Sequence, residues 1–152
     1  MNALRLWVPG PVPSQGSGRA IVSAATGRAV YRPSNADVLA RFRADLRTAL
    51  ADHPDSADWA LVGGPVRVEI LALLPRPKGH CGTGRNAGVV KPSAPRSPTR
   101  PPDADKVARA VLDALVAADV LLDDAQVIAL TVGKVYAYGS QPTGTQIDVE
   151  AL

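Results

Sequence analysis

Along the chain the apolar positions change period several times, and each change predicts an element. Over residues 3–8, Leu4, Leu6 and Val8 alternate with Arg5 and Trp7, the period of a half-buried strand. Pro9, Pro11 and Pro13 end it, because proline has no N–H to donate to a sheet ladder. Residues 19–23 and 29–31 flank Ala24-Ala25-Thr26-Gly27 and predict a small hairpin. A helical period follows. Ser34 stands at a helix N-cap with Asp37 three residues on. Val38, Leu39, Phe42, Leu46, Ala49 and Leu50 mark the buried side of a helix that runs to about Asp52.

Residues 66–74 are strongly apolar and predict a central strand. A second helix is expected from Asp103 to about Asp119, with Val107, Val111, Leu115 and Ala118 in one stripe and Ala114 beside it. Residues 127–138 predict a long strand. Ile147, Val149 and Ala151 alternate in a last strand over 145–152, and 139–144 supply the turn of a C-terminal antiparallel hairpin. The order is strand, hairpin, helix, strand, helix, strand, strand. The expected fold class is α/β of the α+β type, with two helices packed on a small mixed sheet.

Composition narrows this reading. At 152 residues the chain has the size of one domain, 1–152, and a domain of ~150 residues buries roughly 70% of its unfolded surface. Aromatics are only 4%, so Ala, Val, Leu and Ile must build the core. The lone Cys81 permits no intrachain disulfide. With only His53 and His80 beside it, a structural zinc site lacks ligands. The short N-terminal apolar run is broken by Arg5 and Pro9, unlike a signal peptide, and no stretch is long enough to span a bilayer, so a soluble cytoplasmic protein is expected.

The net charge of +3 is a mild basic bias, and its distribution says more than its sum. Residues 75–102 carry Arg76, Lys78, Arg85, Lys91, Arg96 and Arg100 and no acidic residue before Asp103. The segment is rich in Pro, Gly and Ser and predicts a flexible basic loop at about 75–101. Such a loop is either a solubilising linker or a contact for a polyanion. Arg41, Arg43 and Arg47, off the buried side of the first helix, are either a solvated face or a DNA-backbone contact.

Acids cluster where the basic loop ends. Asp103-Ala104-Asp105 follows Pro101-Pro102. Residues i and i+2 of a helix face nearly opposite ways, so the two carboxylates converge only if Asp103 lies at or before the cap in extended geometry. Asp123-Asp124 arrives just before the next strand and is expected to bring Asp124 to the same place. Asp-x-Asp at a helix start is either capping or metal binding. Clustered carboxylates suit Mg²⁺, which takes hard oxygen ligands and keeps waters for substrate phosphates, and such a site cuts phosphodiesters by activating water. Lys106, Arg109 and Asp113 form a polar stripe, read either as surface ion pairs or as Arg109 reaching a scissile phosphate. Lys134, amid Val132, Val135 and Tyr136, either faces water or serves a site.

The run 102–115, Pro-Asp-Ala-Asp-Lys-Val-Ala-Arg-Ala-Val-Leu-Asp-Ala-Leu, followed by Leu122-Asp123-Asp124-Ala125-Gln126-Val127 and Lys134, resembles the RusA family of Holliday-junction resolvases. The resemblance implies a crossover junction endodeoxyribonuclease, a homodimer that makes paired incisions across a four-way DNA junction in recombination and repair. It implies Mg²⁺ dependence, with Mn²⁺ able to substitute. It gives metal-binding and catalytic roles to Asp103, Asp105 and Asp124 and a catalytic role to Arg109. Lys106, Lys134 and the cations of the basic loop are expected at DNA. Arg109 stands where the family commonly has lysine, and Lys106 where it has asparagine. Arginine clamps phosphate well but is a poor proton donor. The alternatives are a catalytically weak or inactive junction-binding protein, and a metal-dependent nuclease acting on other branched or single-stranded nucleic acid.

Overall fold

A computed structural model describes residues 3–16, 18–56, 59 and 63–152. Eight regular elements follow in chain order: β1 (Ala3–Pro9), β2 (Gly18–Val22), β3 (Ala29–Pro33), α1 (Ala36–Ala51), β4 (Val66–Leu74), α2 (Ala104–Ala117), β5 (Val127–Tyr136) and β6 (Gly144–Ala151). The fold is mixed α+β. Four strands form one sheet in the order β1-β6-β4-β5, and β2 and β3 form the small hairpin. The N-terminal apolar run begins at Met1 and Asn2, which lie outside the described residues.

The alternation seen in the sequence is what builds the core. Leu4, Leu6 and Val8 of β1 are buried, as are Val66, Val68, Ile70 and Ala72 of β4 and Ile147 and Val149 of β6. These side chains share one face of the sheet because successive Cβ atoms of a strand alternate. Phe42 and Leu46 of α1 and Val107, Val111, Ala114 and Leu115 of α2 close over that face in one cluster. α1 packs on β1, α2 packs beside β5, and the helices touch each other. The other face of the sheet carries the alternate residues, where Arg5 pairs with Asp148 and Arg67 with Glu150.

Two local expectations shift. The cap of α1 is Asn35 rather than Ser34, and Asn35 makes no side-chain capping bond. Its amide instead donates to the Ser14 carbonyl at 2.6 Å, which fixes the proline-rich segment against the helix start. The antiparallel C-terminal strand is present, but β6 pairs with β1 and β4, and β4 lies between it and β5. The expected hairpin partner is thus replaced by β4. An aliphatic strand with buried residues at both of its ends is best used in the sheet interior, and β4 takes that place.

β4 and β5 run parallel, in register from Val68 opposite Leu130 to Leu74 opposite Tyr136. Parallel neighbours need a crossover, and α2 is that crossover. At its far end Asp119 adopts a left-handed φ of 56°, and the Val120 amide returns to the Leu115 carbonyl at 2.9 Å. Such a left-handed residue closes the last turn and sends the chain toward β5.

Candidate active site and nucleic-acid interface

The chain leaves β4 at Leu74, passes through residues 75–102 and enters α2 at the carboxyl end of the two parallel strands. Open α/β sheets bind ligands outside that end. Asp103 is extended, with φ −72° and ψ 141°, and Asp105 lies in the first turn of α2. This is the backbone change that two carboxylates two residues apart require. Asp103 occupies the N-cap but makes no capping hydrogen bond. Its carboxylate pairs with the Lys106 ammonium at 3.0 Å, so capping does not account for an acid at this position.

The Asp103 hydrogen bond, and then the Asp103 charge, raise Lys106 above the ordinary lysine pKa of 10.5. A raised lysine adds stability that is fully present below its unfolded pKa and is lost as pH rises through the folded one. Near neutrality Lys106 is therefore a cation, paired with the Asp103 carboxylate. Arg109, one turn on, is exposed and forms no ion pair among the described residues.

The proline-rich segment before β2 covers this half of α2. The Gln15 amide N–H donates to the Lys106 carbonyl at 2.9 Å, and its side-chain amide donates to Asp113. A Cβ placed on Gly16 would stand 3.5 Å from Lys106 Cγ and 3.6 Å from Arg109 Nη1. Gln15 and Asn35 are positioning residues that the sequence reading passed over. A polar residue among prolines carries no periodic signal, and only the tertiary contact reveals it.

Lys134 reaches the same corner from β5. Its ammonium donates to the Arg100 carbonyl at 3.1 Å and the Pro102 carbonyl at 2.9 Å. Two of its three donors are thus spent on the backbone that leads into Asp103.

Asp124 is elsewhere. In a β-α-β crossover the helix begins at the end of the first strand and the second strand begins at the opposite end of the sheet. Asp124 precedes β5 at the end where Val66 pairs with Val127. It shares an open groove with Asp123, Asp113, Ala117 and Arg43. α2 has 14 residues, which at 1.5 Å each puts Asp103 and Asp124 on the order of 20 Å apart. Two oxygens on one Mg²⁺ are at most about 4 Å apart. The expected convergence of Asp103, Asp105 and Asp124 is not met within one copy. Among the described residues no group of three or more His, Cys, Asp or Glu side chains is placed to hold a metal ion.

Asp123 and Asp124 differ in what they do. Asp123 accepts from the Ala125 amide at 2.8 Å, and Gln126 accepts from the Leu122 and Asp123 amides, so the pair forms a reciprocal cap on a short 3₁₀ turn. Asp124 is exposed, and no hydrogen bond engages its carboxylate among the described residues.

The basic segment is folded back on itself. Short 3₁₀ turns stand at Lys78–His80 and Gly84–Asn86, and Cys81 bridges Val90. Arg76 lies over the Tyr136 ring at 4.4 Å and donates to the Pro95 carbonyl at 2.9 Å. His80 meets the same ring edge-on at 5.6 Å. Lys91 donates to the Gly79 carbonyl at 3.0 Å. Lys78, Arg85, Lys91, Arg96 and Arg100 are exposed. The first-helix arginines divide: Arg41 pairs with Asp45 at 3.5 Å, and Arg47 donates to the Ala117 carbonyl at the end of α2 at 3.0 Å.

Paired acids at a helix start, a cation one turn on and a basic segment beside them are groups suited to a polyanionic partner. The model of the family Endodeoxyribonuclease RusA matches residues 11–150. The chain belongs to the RusA family of endodeoxyribonucleases. No curated protein matches it significantly. No helix among the described residues is long and apolar enough to cross a membrane.

Proposed function

We propose that this chain is a structure-selective endodeoxyribonuclease that resolves four-way DNA junctions as a homodimer, using Mg²⁺. The observation that carries the reading is the placement of the acids at opposite ends of α2. A two-fold axis across α2 sets two copies antiparallel, and the Asp103 and Asp105 end of one copy then meets the Asp124 end of the other. Closed two-fold dimers use one self-complementary patch, and β5 supplies one. It is an edge strand, and Ile128 and Leu130 on its helix side are 68% and 44% exposed. Unprotected apolar edges are what native chains otherwise avoid.

The donor set fits a hard cation. Asp103, Asp105 and a second copy's Asp124 offer carboxylate oxygens only, and Mg²⁺ is commonly held by one or two carboxylates plus water. Bound there, the ion would supply an activated water and charge neutralisation at phosphorus. The chain's own groups do the rest. Lys134 fixes the approach to Asp103, Lys106 holds the Asp103 carboxylate, and Arg109 clamps a non-bridging phosphate oxygen. The basic segment follows the backbone of the arms.

The test mixes two inactive variants, Asp105→Asn and Asp124→Asn. If sites are shared, a mixed dimer has one site with both substitutions and one with neither. Nicking of a synthetic junction should then return to about a quarter of the wild-type site count at equal mixing. Mixtures that stay as inactive as their parents would refute the shared site. A wild-type chain that leaves four-way junctions uncut with Mg²⁺ but binds them would establish the junction-binding alternative.

A further inference from the structure

Past the carboxyl end of β5 the chain holds an aromatic ring out in solvent. Tyr138 is 82% exposed. Its position is fixed locally, because its amide donates to Gln141 Oε1 at 3.2 Å and its carbonyl accepts from the Gln141 amide at 2.9 Å. Gly139 next to it takes a left-handed φ of 57°, a conformation that costs a glycine little. Val89 and Val90 of the basic segment are also exposed, at 58% and 37%. With Tyr138 and Arg76 they line an open groove of about 460 Å³. Apolar groups displayed together inside a polar surround mark an interaction site.

The wall of this groove is anchored. Tyr136 carries the Arg76 guanidinium over its ring and meets the His80 ring at right angles. Val89 and Val90 hang on a short antiparallel closure in which the Gly82 amide donates to the Val89 carbonyl at 3.0 Å and the Lys91 amide to the His80 carbonyl at 2.8 Å. Among the described residues no acid lines the groove, and the whole segment 75–102 contains six cations and no acid. The groove opens at the same end of the sheet as Asp103, since Ala137 is bonded to Leu74 where α2's approach begins.

The occupant must be flat, apolar on its face and attached to negative charge. One ring and two valines fall far short of the roughly 800 Å² per partner of a standard protein interface. One nucleobase needs no more than that, because stacking on an aromatic ring is indifferent to sequence and basic side chains take the flanking phosphates. We propose that Tyr138, backed by Val89 and Val90, is a stacking shelf for one unpaired base of a branched DNA strand, with Arg76, Arg85 and Lys91 facing the adjacent phosphates. The shelf rests on the reading of the chain as a junction endonuclease. It adds to that reading a means of recognising an unpaired base at the branch.

The experiment measures affinity in EDTA by fluorescence anisotropy for a linear duplex, an oligo(dT) strand, and a four-way junction with unpaired bases at its centre. Tyr138→Ala should weaken binding to the strand and the junction by about tenfold, within the span of one lost base–aromatic stack, and leave the duplex unchanged. Tyr138→Phe should bind as the wild type does. The salt dependence should keep its slope in both variants, because no phosphate contact is removed. Equal losses on all three DNAs, or no loss on any, would overturn the shelf. A change in sedimentation with DNA affinity intact would assign the patch to a protein contact and overturn it too. Wild-type protein that binds no junction would remove the endonuclease reading itself. Junction binding that is normal in the wild type and in Tyr138→Ala would remove only the shelf.

Discussion

Replacing Lys134 by methionine separates two roles that the sequence alone leaves open. The substitution keeps an unbranched apolar stem of similar length and deletes the ammonium. That ammonium donates to the Arg100 and Pro102 carbonyls. A hydrogen bond from a charged donor contributes ~1.5–3 kcal/mol when shielded from water. Lys134 is half-buried, so water can replace part of each bond, and a total of about 1–3 kcal/mol is expected. With a urea m-value of about 2 kcal/mol/M, the midpoint should fall by about 0.5–1.5 M at constant m. Pro101 and Pro102 have no N–H to rebuild the corner with, so Asp103 should lose its fixed position and cleavage should slow more than tenfold. The slope of log K against log salt for junction binding should not change. An unchanged urea midpoint, together with a salt slope reduced by about 0.9, would refute the argument and return Lys134 to the DNA backbone.

Two further substitutions address the phosphate contacts. Arg109→Ala should slow cleavage much more than it weakens junction binding, because a clamp on developing charge acts mainly in the transition state. Arg109→Lys should retain part of the activity, and a rate well above wild type with a new basic limb in the pH profile would mean that the position calls for a proton donor. Neutralising Arg85 and Lys91 together should flatten the salt dependence on duplex arms by up to about 1.8 in log–log slope, and an unchanged slope would make the segment a passive connection.

How far the sequence could be read depended on where each signal resides. The strand of Leu4, Leu6 and Val8, the stripe of α1 and the stripe of α2 are local periodicities. Leu39, Phe42 and Leu46 of α1 and Val107, Val111, Ala114 and Leu115 of α2 are buried as expected, while Val38, Ala49, Leu50 and Ala118 at the margins are half-buried. The extended Asp103 was legible because Pro101-Pro102 constrains the backbone beside it. The position of Asp124 was not. Its neighbours in sequence say that a strand follows, but the direction of that strand relative to β4 decides which end of the sheet it meets. The same holds for β6, whose antiparallel run was visible and whose partners were not. The bonds of Lys134, Asn35 and Gln15 join residues 21 to 98 positions apart, and no window along the chain contains them.

The span of α2 between the two groups of acids also bears on dosage. With cutting groups divided between copies in the proposed dimer, a newly made chain alone in the cell has no complete site. Cutting then rises with roughly the square of the protein concentration until dimers dominate, and falls away on dilution. A nuclease built in this way stays harmless to the genome at low expression, and a four-way junction, which gathers two copies on one DNA, becomes the place where it switches on.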